Sequence, residues 1–334
     1  MKSKLFFVAL LLISLLLVLA GLSVGAFPTP PKVLFHAIFD YDAANSLHFV
    51  ITEIRLPRLI LTLLTGGALA LAGYLLQTMV NNPLADPFIL GTASGASLGV
   101  NFAYLGIIPL LGTSTTGASF FAFAGAMLVT LTAVAISYDK GRINPSRLLL
   151  AGIALSSLMV ALTTFLLFVV NSESRLKKVI FWSMGSLEQA SWEKIPFLAA
   201  VLLITTLVFT LLTKNLNILL LGESRAESLG VNIHIFRWML VSFASLITAA
   251  AVAVAGPIGF VGLIVPHFAR AVLGVHSKFI VLFTVFTGGI FLLACDILSR
   301  IVFPEASLPI GIVTSFLGIP FFVYLLTKRS YRFS

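Results

Sequence analysis

The residues in this 334-residue sequence that could do chemistry are few and scattered. Five histidines, His36, His48, His234, His267 and His276, form no close pair, so each reads as a structural imidazole rather than a metal or haem ligand. One cysteine, Cys295, rules out an internal disulfide framework and a multi-cysteine metal site. No serine–histidine–aspartate set and no carboxylate pair suggests catalysis. No G-x-x-x-x-G-K-[ST] stretch occurs, so the chain has no Walker phosphate cradle, and ATP, if it powers anything here, is bound by another chain. Three features remain: arginines at Arg55, Arg58 and Arg300, a polar insert around Glu223, and the broken stretch NNPLADPFILG at residues 81–91.

The elements that must position these residues are set by composition. The chain is 59% hydrophobic and 10% charged, with mean hydropathy +1.10. A soluble domain carries about 25% charged residues, and one this apolar would have too little polar surface to cover its core. The sequence is therefore that of an integral membrane protein. Its net charge of +9 comes from basic residues spread over the ends of many apolar runs, which speaks for membrane topology rather than nucleic acid. Lys2 and Lys4 precede an apolar run from Leu5 to Phe27. That run exceeds the roughly 7–15 residues of a signal peptide core, so a retained first helix is expected.

Ten spans of about 20 residues can be drawn, near 5–26, 57–80, 88–110, 118–138, 147–170, 194–213, 238–256, 257–275, 278–299 and 308–327. The fold class is all-α and polytopic, a single transmembrane domain over 1–334. Only Gly256-Pro257-Ile258-Gly259 divides the seventh span from the eighth. With the N-terminus inside, 13 basic residues fall on inner segments and 8 on outer ones, which favours that orientation. The outer group includes Arg55, Arg58 and Arg300, an excess that needs a reason. Gly91, Gly95 and Gly99 at four-residue spacing, and Gly256, Gly259 and Gly262 at three, read as small faces for close helix packing. ALALAG (68–73) and AVAVAG (251–256) form a faint internal echo of the inverted-repeat kind.

Residues 214–237 are the longest polar insert, with a helix-like centre at Glu223, Arg225 and Glu227 and a stop at Leu229-Gly230. A solvated loop or a short projecting two-helix element both fit. GESRAESLGVNI within it resembles the coupling segment of bacterial ABC importer permeases for iron chelates, haem and cobalamin, the FecCD type. RLPRLILTLLTGGALALAGYLLQTMVNNPLADPFILGTASGASLGV (55–100), GPIGFVGLIVPHFAR (256–270) and LPIGIVTSFLGIPFFVYLL (308–326) resemble the same family, so the resemblance covers about residues 50–328.

The resemblance implies a ten-helix permease in the bacterial cytoplasmic (inner) membrane, with both termini cytoplasmic. Its partners would be two ATPase subunits that bind ATP and Mg, a second permease, identical or paralogous, a periplasmic or lipid-tethered binding protein and membrane lipid. No cofactor, metal or nucleic acid is implied for this chain, and no enzymatic activity of its own. Gly222, Glu223, Ala226, Leu229 and Gly230 would couple to the ATPase as a stiff, small-surfaced lever. Arg55, Arg58 and Arg300 would dock acidic side chains of the binding protein, a task that suits the rigid guanidinium fork. Interfacial anchoring by snorkelling is the plainer reading of the three. Asp296, four residues before Arg300, would partly neutralise that arginine.

Asn82, Pro83 and Leu84 would form one cytoplasmic gate, and Asn144, Pro145 and Ser146 the other. Pro145 stands where the cobalamin permease has a hydroxyl residue, and Ser307 where the family often has Glu, with Glu305 nearby. Either gate stretch also reads as a plain helix-connecting turn, in which prolines stop the helices and asparagines satisfy freed backbone groups. The fifth span, with Ser156, Ser157, Thr163 and Thr164, would line the pathway, although such hydroxyls usually bond their own backbone. Ferric siderophore leads as cargo, with haem and cobalamin following. An ion-coupled secondary carrier is the competing reading, and a near-absence of mid-span ionisable groups counts against it.

Overall fold

Inside a bilayer each segment must satisfy its own backbone hydrogen bonds, so a chain of this composition crosses as helices. The computed structural model describes residues 2–25, 29–42, 44–105, 115–139, 142–169, 173–302 and 308–327. Helix α1 (Lys2–Ser23) is followed by α2 (Pro31–Phe39) and α3 (Ser46–Phe49). A π-helical stretch, Val50–Arg55, runs without a break into α4 (Leu56–Val80). A 3-10 turn, Pro87–Leu90, leads to α5 (Thr92–Tyr104), then α6 (Thr115–Ser137). The strands β1 (Tyr138–Asp139) and β2 (Arg142–Ile143) pair antiparallel, with Tyr138 opposite Ile143. Then come α7 (Pro145–Val169), α8 (Glu173–Ser183), α9 (Ile195–Leu211), α10 (Thr213–Leu219) and α11 (Glu223–Ser228). The chain closes with α12 (Ile233–Ala255), α13 (Val261–Leu273), α14 (Ile280–Val302) and α15 (Ile310–Thr327).

Each of the ten expected spans contains a helix. Among the described residues, six stretches are long and apolar enough to cross a membrane alone: 46–80, 117–137, 145–169, 192–211, 233–255 and 280–302. Helices α5 and α13 have 13 residues each, about 20 Å of axis against a hydrocarbon core of about 30 Å. The division of the seventh and eighth spans is where the sequence placed it: α12 ends at Ala255 and α13 starts at Val261. The expected stretch 106–110, like Glu305 and Ser307, lies outside the described residues.

Helix α4 is the centre of the bundle, buried at every position from Thr65 to Met79, and it packs on α14, α12, α13 and α9. The contacts are backbone on backbone. A Cβ at Gly66 would lie 2.2 Å from the Gly288 carbonyl oxygen, and one at Gly73 would lie 1.9 Å from that of Gly262. Gly95 and Gly99 likewise bring α5 onto α6.

The expected glycine faces are only partly helical. Gly91 precedes α5 in the left-handed region (φ 84°), Gly256 ends α12 at φ 69°, and Gly259 lies between helices, so of its trio only Gly262 packs as a helix face. The ALALAG echo also falls at unlike places, since Gly73 sits inside α4 whereas Gly256 terminates α12.

Gly73→Ala should therefore destabilise the fold by about 1–3 kcal/mol through overpacking. Gly259→Ala, where a Cβ would meet nothing within 4 Å, should stay within about 0.5 kcal/mol. Thermal unfolding midpoints of the two variants in detergent check the contrast.

Candidate functional site

At one end of the bundle the three arginines and Asp296 form a single buried cluster. Arg58 donates to Asp296 Oδ1 from Nε at 3.0 Å and from Nη2 at 2.8 Å. Arg300, one turn along α14 from Asp296, brings Nη2 to 2.9 Å from Oδ2 as an ion pair; that oxygen is out of line for a hydrogen bond. The Asp296 side chain is 1% exposed, and those of Arg58 and Arg300 are 15% and 9% exposed.

The remaining donors close the C-terminus of α1, whose last carbonyls have no partner within the helix. Arg55 Nη1 donates to Leu22 O at 2.6 Å, Ser23 O at 3.1 Å and Thr29 Oγ1 at 2.9 Å. Arg300 Nη1 donates to Gly21 O at 2.9 Å and Val24 O at 2.7 Å. The structure thus brings Arg55, Arg58 and Arg300 together, as one sequence reading grouped them, but as an internal lock rather than as exposed or snorkelling forks. The spacing-based pair of Asp296 with Arg300 is present, and Arg58 joins it from α4.

At the other end of α4, Asn81 stops the helix in the left-handed conformation (φ 50°). The Asn82 N–H donates to Gln77 O at 3.0 Å, and Asn82 Oδ1 accepts from the Leu84 N–H at 2.9 Å. Asp86 Oδ1 accepts from the Phe88 N–H at 2.8 Å and so caps the 3-10 turn. Asn144 Oδ1 accepts from the N–H groups of Ser146 and Arg147, at 3.0 and 3.2 Å, and caps α7 with Pro145 in its first turn. The asparagines do satisfy freed backbone groups, as expected of either reading. The two stretches are linked through packing: the 3-10 turn rests on α7, where a Cβ at Gly152 would lie 2.1 Å from Ile89 O. Asn82, Asn144 and Ser146 are exposed, and Pro83, Leu84 and Pro145 are half-buried.

Asp86, in this turn and outside the spans, is half-buried. The packing around it pushes its carboxyl up to about 6, against a smaller opposing effect of the Phe88 N–H.

Sequence reasoning missed a second buried cluster next to this turn. Arg270 of α13 donates from Nη2 to Gln77 Oε1, and Gln77 Nε2 donates to Gly262 O at 3.0 Å. The Arg270 guanidinium lies 6.0 Å from the Tyr74 ring centroid, within reach of a cation–π contact. The available signal was Gln77, the one carboxamide in the apolar run 56–80.

The polar insert is a projecting element, not a plain loop. Gly222 (φ 101°) and Gly230 (φ 82°) bracket α11, and a Cβ at either would meet nothing within 4 Å. Glycine is required there by backbone handedness rather than by space. Ala226 is fully buried under α11, whereas Leu229 is 58% exposed. Glu223 pairs with the buried Arg237 of α12, and Asn232 Oδ1 caps α12 through the Ile235 N–H at 3.2 Å.

Among the described residues, helix α7 presents an exposed apolar face that includes Leu150, Ile153, Val160, Phe165 and Phe168. Ser157 and Thr164 donate to the carbonyls one turn back, at 3.1 and 2.9 Å. His48 Nδ1 accepts from the Asp42 N–H at 3.0 Å, and His267 packs edge-on to Phe321. Among the described residues, no group of three or more His, Cys, Asp or Glu could hold a metal ion.

The FecCD transport family matches residues 10–328. A cobalamin import system permease protein of Halobacterium salinarum is 37% identical, over 92% of this chain and 82% of its own length. The Fe(3+) dicitrate transport system permease protein FecD of Escherichia coli is 34% identical, over 95% and 98%. The hemin transport system permease protein HmuU of Yersinia pestis is 33% identical, over 96% and 94%. A solved chain of a metal-chelate type ABC transporter, in an inward-facing conformation, superposes with a TM-score of 0.84 at 30% identity, covering 97% of this chain and 98% of that one.

Two outcomes follow from the clusters. Asp296→Asn leaves Arg58 and Arg300 without their counter-charge and should cost about 3–5 kcal/mol, read as a fall in the unfolding midpoint. For Asp86, a folded value near 6 against the ordinary 3.8 means that the folded turn prefers the neutral acid. That preference stabilises the fold fully below about pH 4 and is lost as the pH rises towards 6. Asp86→Asn keeps an acceptor for the Phe88 N–H, and its unfolding midpoint should lack this pH-dependent component when compared with wild type.

Proposed function

Because the chain belongs to the FecCD transport family, we propose that it is the transmembrane permease subunit of an ATP-driven importer that moves an iron chelate across the bacterial cytoplasmic membrane. The observation that carries this reading, beyond family membership, is the projecting α11. It is bracketed by two positive-φ glycines, rests on buried Ala226 and is tied to α12 through Glu223 and Arg237. That is the form of a short lever able to sit in a cleft of a separate ATPase. Two such ATPase subunits bind ATP and Mg2+; Gly222, Glu223, Leu229 and Gly230 make the coupling contact, and the expected fifth member, Ala226, is buried and instead seats the lever on the bundle. The insert and both termini face the cytoplasm.

The bare apolar face of α7 packs against a second permease, identical or paralogous, and the fifth span lines the pathway between them. The turns at Asn82–Leu84 and Asn144–Ser146 close its cytoplasmic end. A substrate-binding protein, periplasmic or lipid-tethered, docks at the opposite end. There its acidic side chains compete with Asp296 and the α1 carbonyls for Arg55, Arg58 and Arg300. Because the three arginines already have internal partners, these contacts set orientation and on-rate more than affinity. Ferric siderophore is the first cargo to test; haemin and cobalamin are carried by systems whose permeases are relatives.

The test is uptake into proteoliposomes holding this chain, its ATPase and its binding protein, with labelled ferric siderophore, haemin and cobalamin offered in turn. Uptake of one cargo only when ATP reaches the ATPase supports the reading and names the cargo. Uptake without ATP that an ionophore abolishes replaces it with an ion-coupled carrier. In the same assay Gly230→Val, which forces a branched side chain into the left-handed region, should cut ATP-driven uptake by about tenfold while ATP hydrolysis continues. Gly230→Asn, which tolerates that region, should keep most of it.

A further inference from the structure

Two recesses adjoin at the insert end of the bundle. The first, about 320 Å3, is lined by hydrocarbon: Phe7 and Leu11 of α1, Leu273 of α13, and Leu282 and Phe286 of α14 contribute to it. Its wall is stiffened by rings, with Phe7 edge-on to Phe283 at 6.0 Å and Phe268 stacked on Phe283 at 6.4 Å. The second, about 450 Å3, is lined by Lys214 and Asn217 of α10 and by His276 and Lys278 of the segment before α14. No carboxylate among the described residues lines it. Asn217 Nδ2 donates to His276 O at 3.1 Å, which pins that segment to α10 and fixes where the two lysines sit. The recesses meet at Lys278-Phe279, where the ammonium lies 5.0 Å from the Phe279 ring centroid.

A hydrocarbon groove that adjoins a recess lined by two exposed lysines matches one kind of occupant, a molecule with an apolar tail and an anionic head. Topology alone accounts for lysines at this end, but not for an aromatic-walled groove that adjoins their recess at Phe279. We propose that this groove binds one anionic phospholipid, an acyl chain along α1 and α14 and the phosphate between Lys214 and Lys278. Its assignment to the cytoplasmic leaflet rests on the orientation proposed above; the binding itself does not.

The test is native mass spectrometry of the full-length, delipidated chain titrated with phosphatidylglycerol or with phosphatidylcholine of the same acyl chains. Wild type should retain one phosphatidylglycerol per chain, about 25-fold more tightly than phosphatidylcholine, at about fivefold per lysine. Lys214→Gln with Lys278→Gln, both at exposed positions, should erase that preference. Leu282→Trp should fill the apolar recess and weaken retention with both lysines in place. Equal retention of the two lipids, which is annular lipid only, overturns the site. So does undiminished phosphatidylglycerol binding by the double variant, or displacement of the lipid by millimolar inorganic phosphate. None of these readings depends on transport, so failure here leaves the permease assignment standing.

Discussion

Helix α4 is enclosed by other helices along most of its length, and in a bilayer that enclosure cannot be driven by the hydrophobic effect, because lipid tails are as apolar as leucine. What holds α4 is close approach of backbones, which needs glycine on at least one side of each contact. Gly66 with Gly288 fixes α4 to α14, and Gly73 with Gly262 fixes it to α13. The rest of the bundle is arranged around those two contacts, which leave no room for even a methyl group.

Polar groups close both ends of this central rod. At one end Arg58 binds Asp296, and the neighbouring Arg55 and Arg300 take up the loose carbonyls of α1. At the other, Gln77 is held between Arg270 and the Gly262 carbonyl. A buried ion pair gains little net stability over apolar packing of the same shape, so the weight of these clusters is geometric. They fix the register of α4 against α14 and α13 where backbone contacts alone would allow sliding. By contrast, α7 has few buried residues and leans on the 3-10 turn after α4. The chain is thereby divided into a locked centre and a lightly held flank.

Helix existence was legible because each span is a run of apolar residues near the length a bilayer demands. The break at Gly256-Pro257 was legible because those residues cannot continue a helix. The short true lengths of α5 and α13 were not, since Gly91 and Phe260 take left-handed conformations that apolar patterning does not encode. The arginines show the same limit. Their types and their place at span ends can be read from the chain, but their burial cannot, because it depends on Asp296 lying 238 residues from Arg58. Gln77 and Arg270 are separated by 193 residues and escaped for the same reason. Of the positive-φ glycines flanking α11, Gly230 was legible as a helix stop, whereas Gly222 was recognisable only as part of a familiar motif.

Helix α12 joins these parts. Its first turn carries the Asn232 cap, and Arg237 one turn on holds Glu223 of α11. Its far end, 23 residues and about 35 Å away, accepts the Ser186 N–H at Ala255 O, and Gly256 lies against the Trp182 carbonyl at the end of α8. Between those ends α12 has no glycine and no proline, whereas α13 and α15 each carry an internal proline. A proline-free helix with an intact ladder bends little, so a displacement of α11 that moves the start of α12 must also move its end. The sequence therefore places an uninterrupted, partly buried rod between α11 and the segment that borders α8. It places its kinkable helices elsewhere, as transmission of a small movement through packed elements requires.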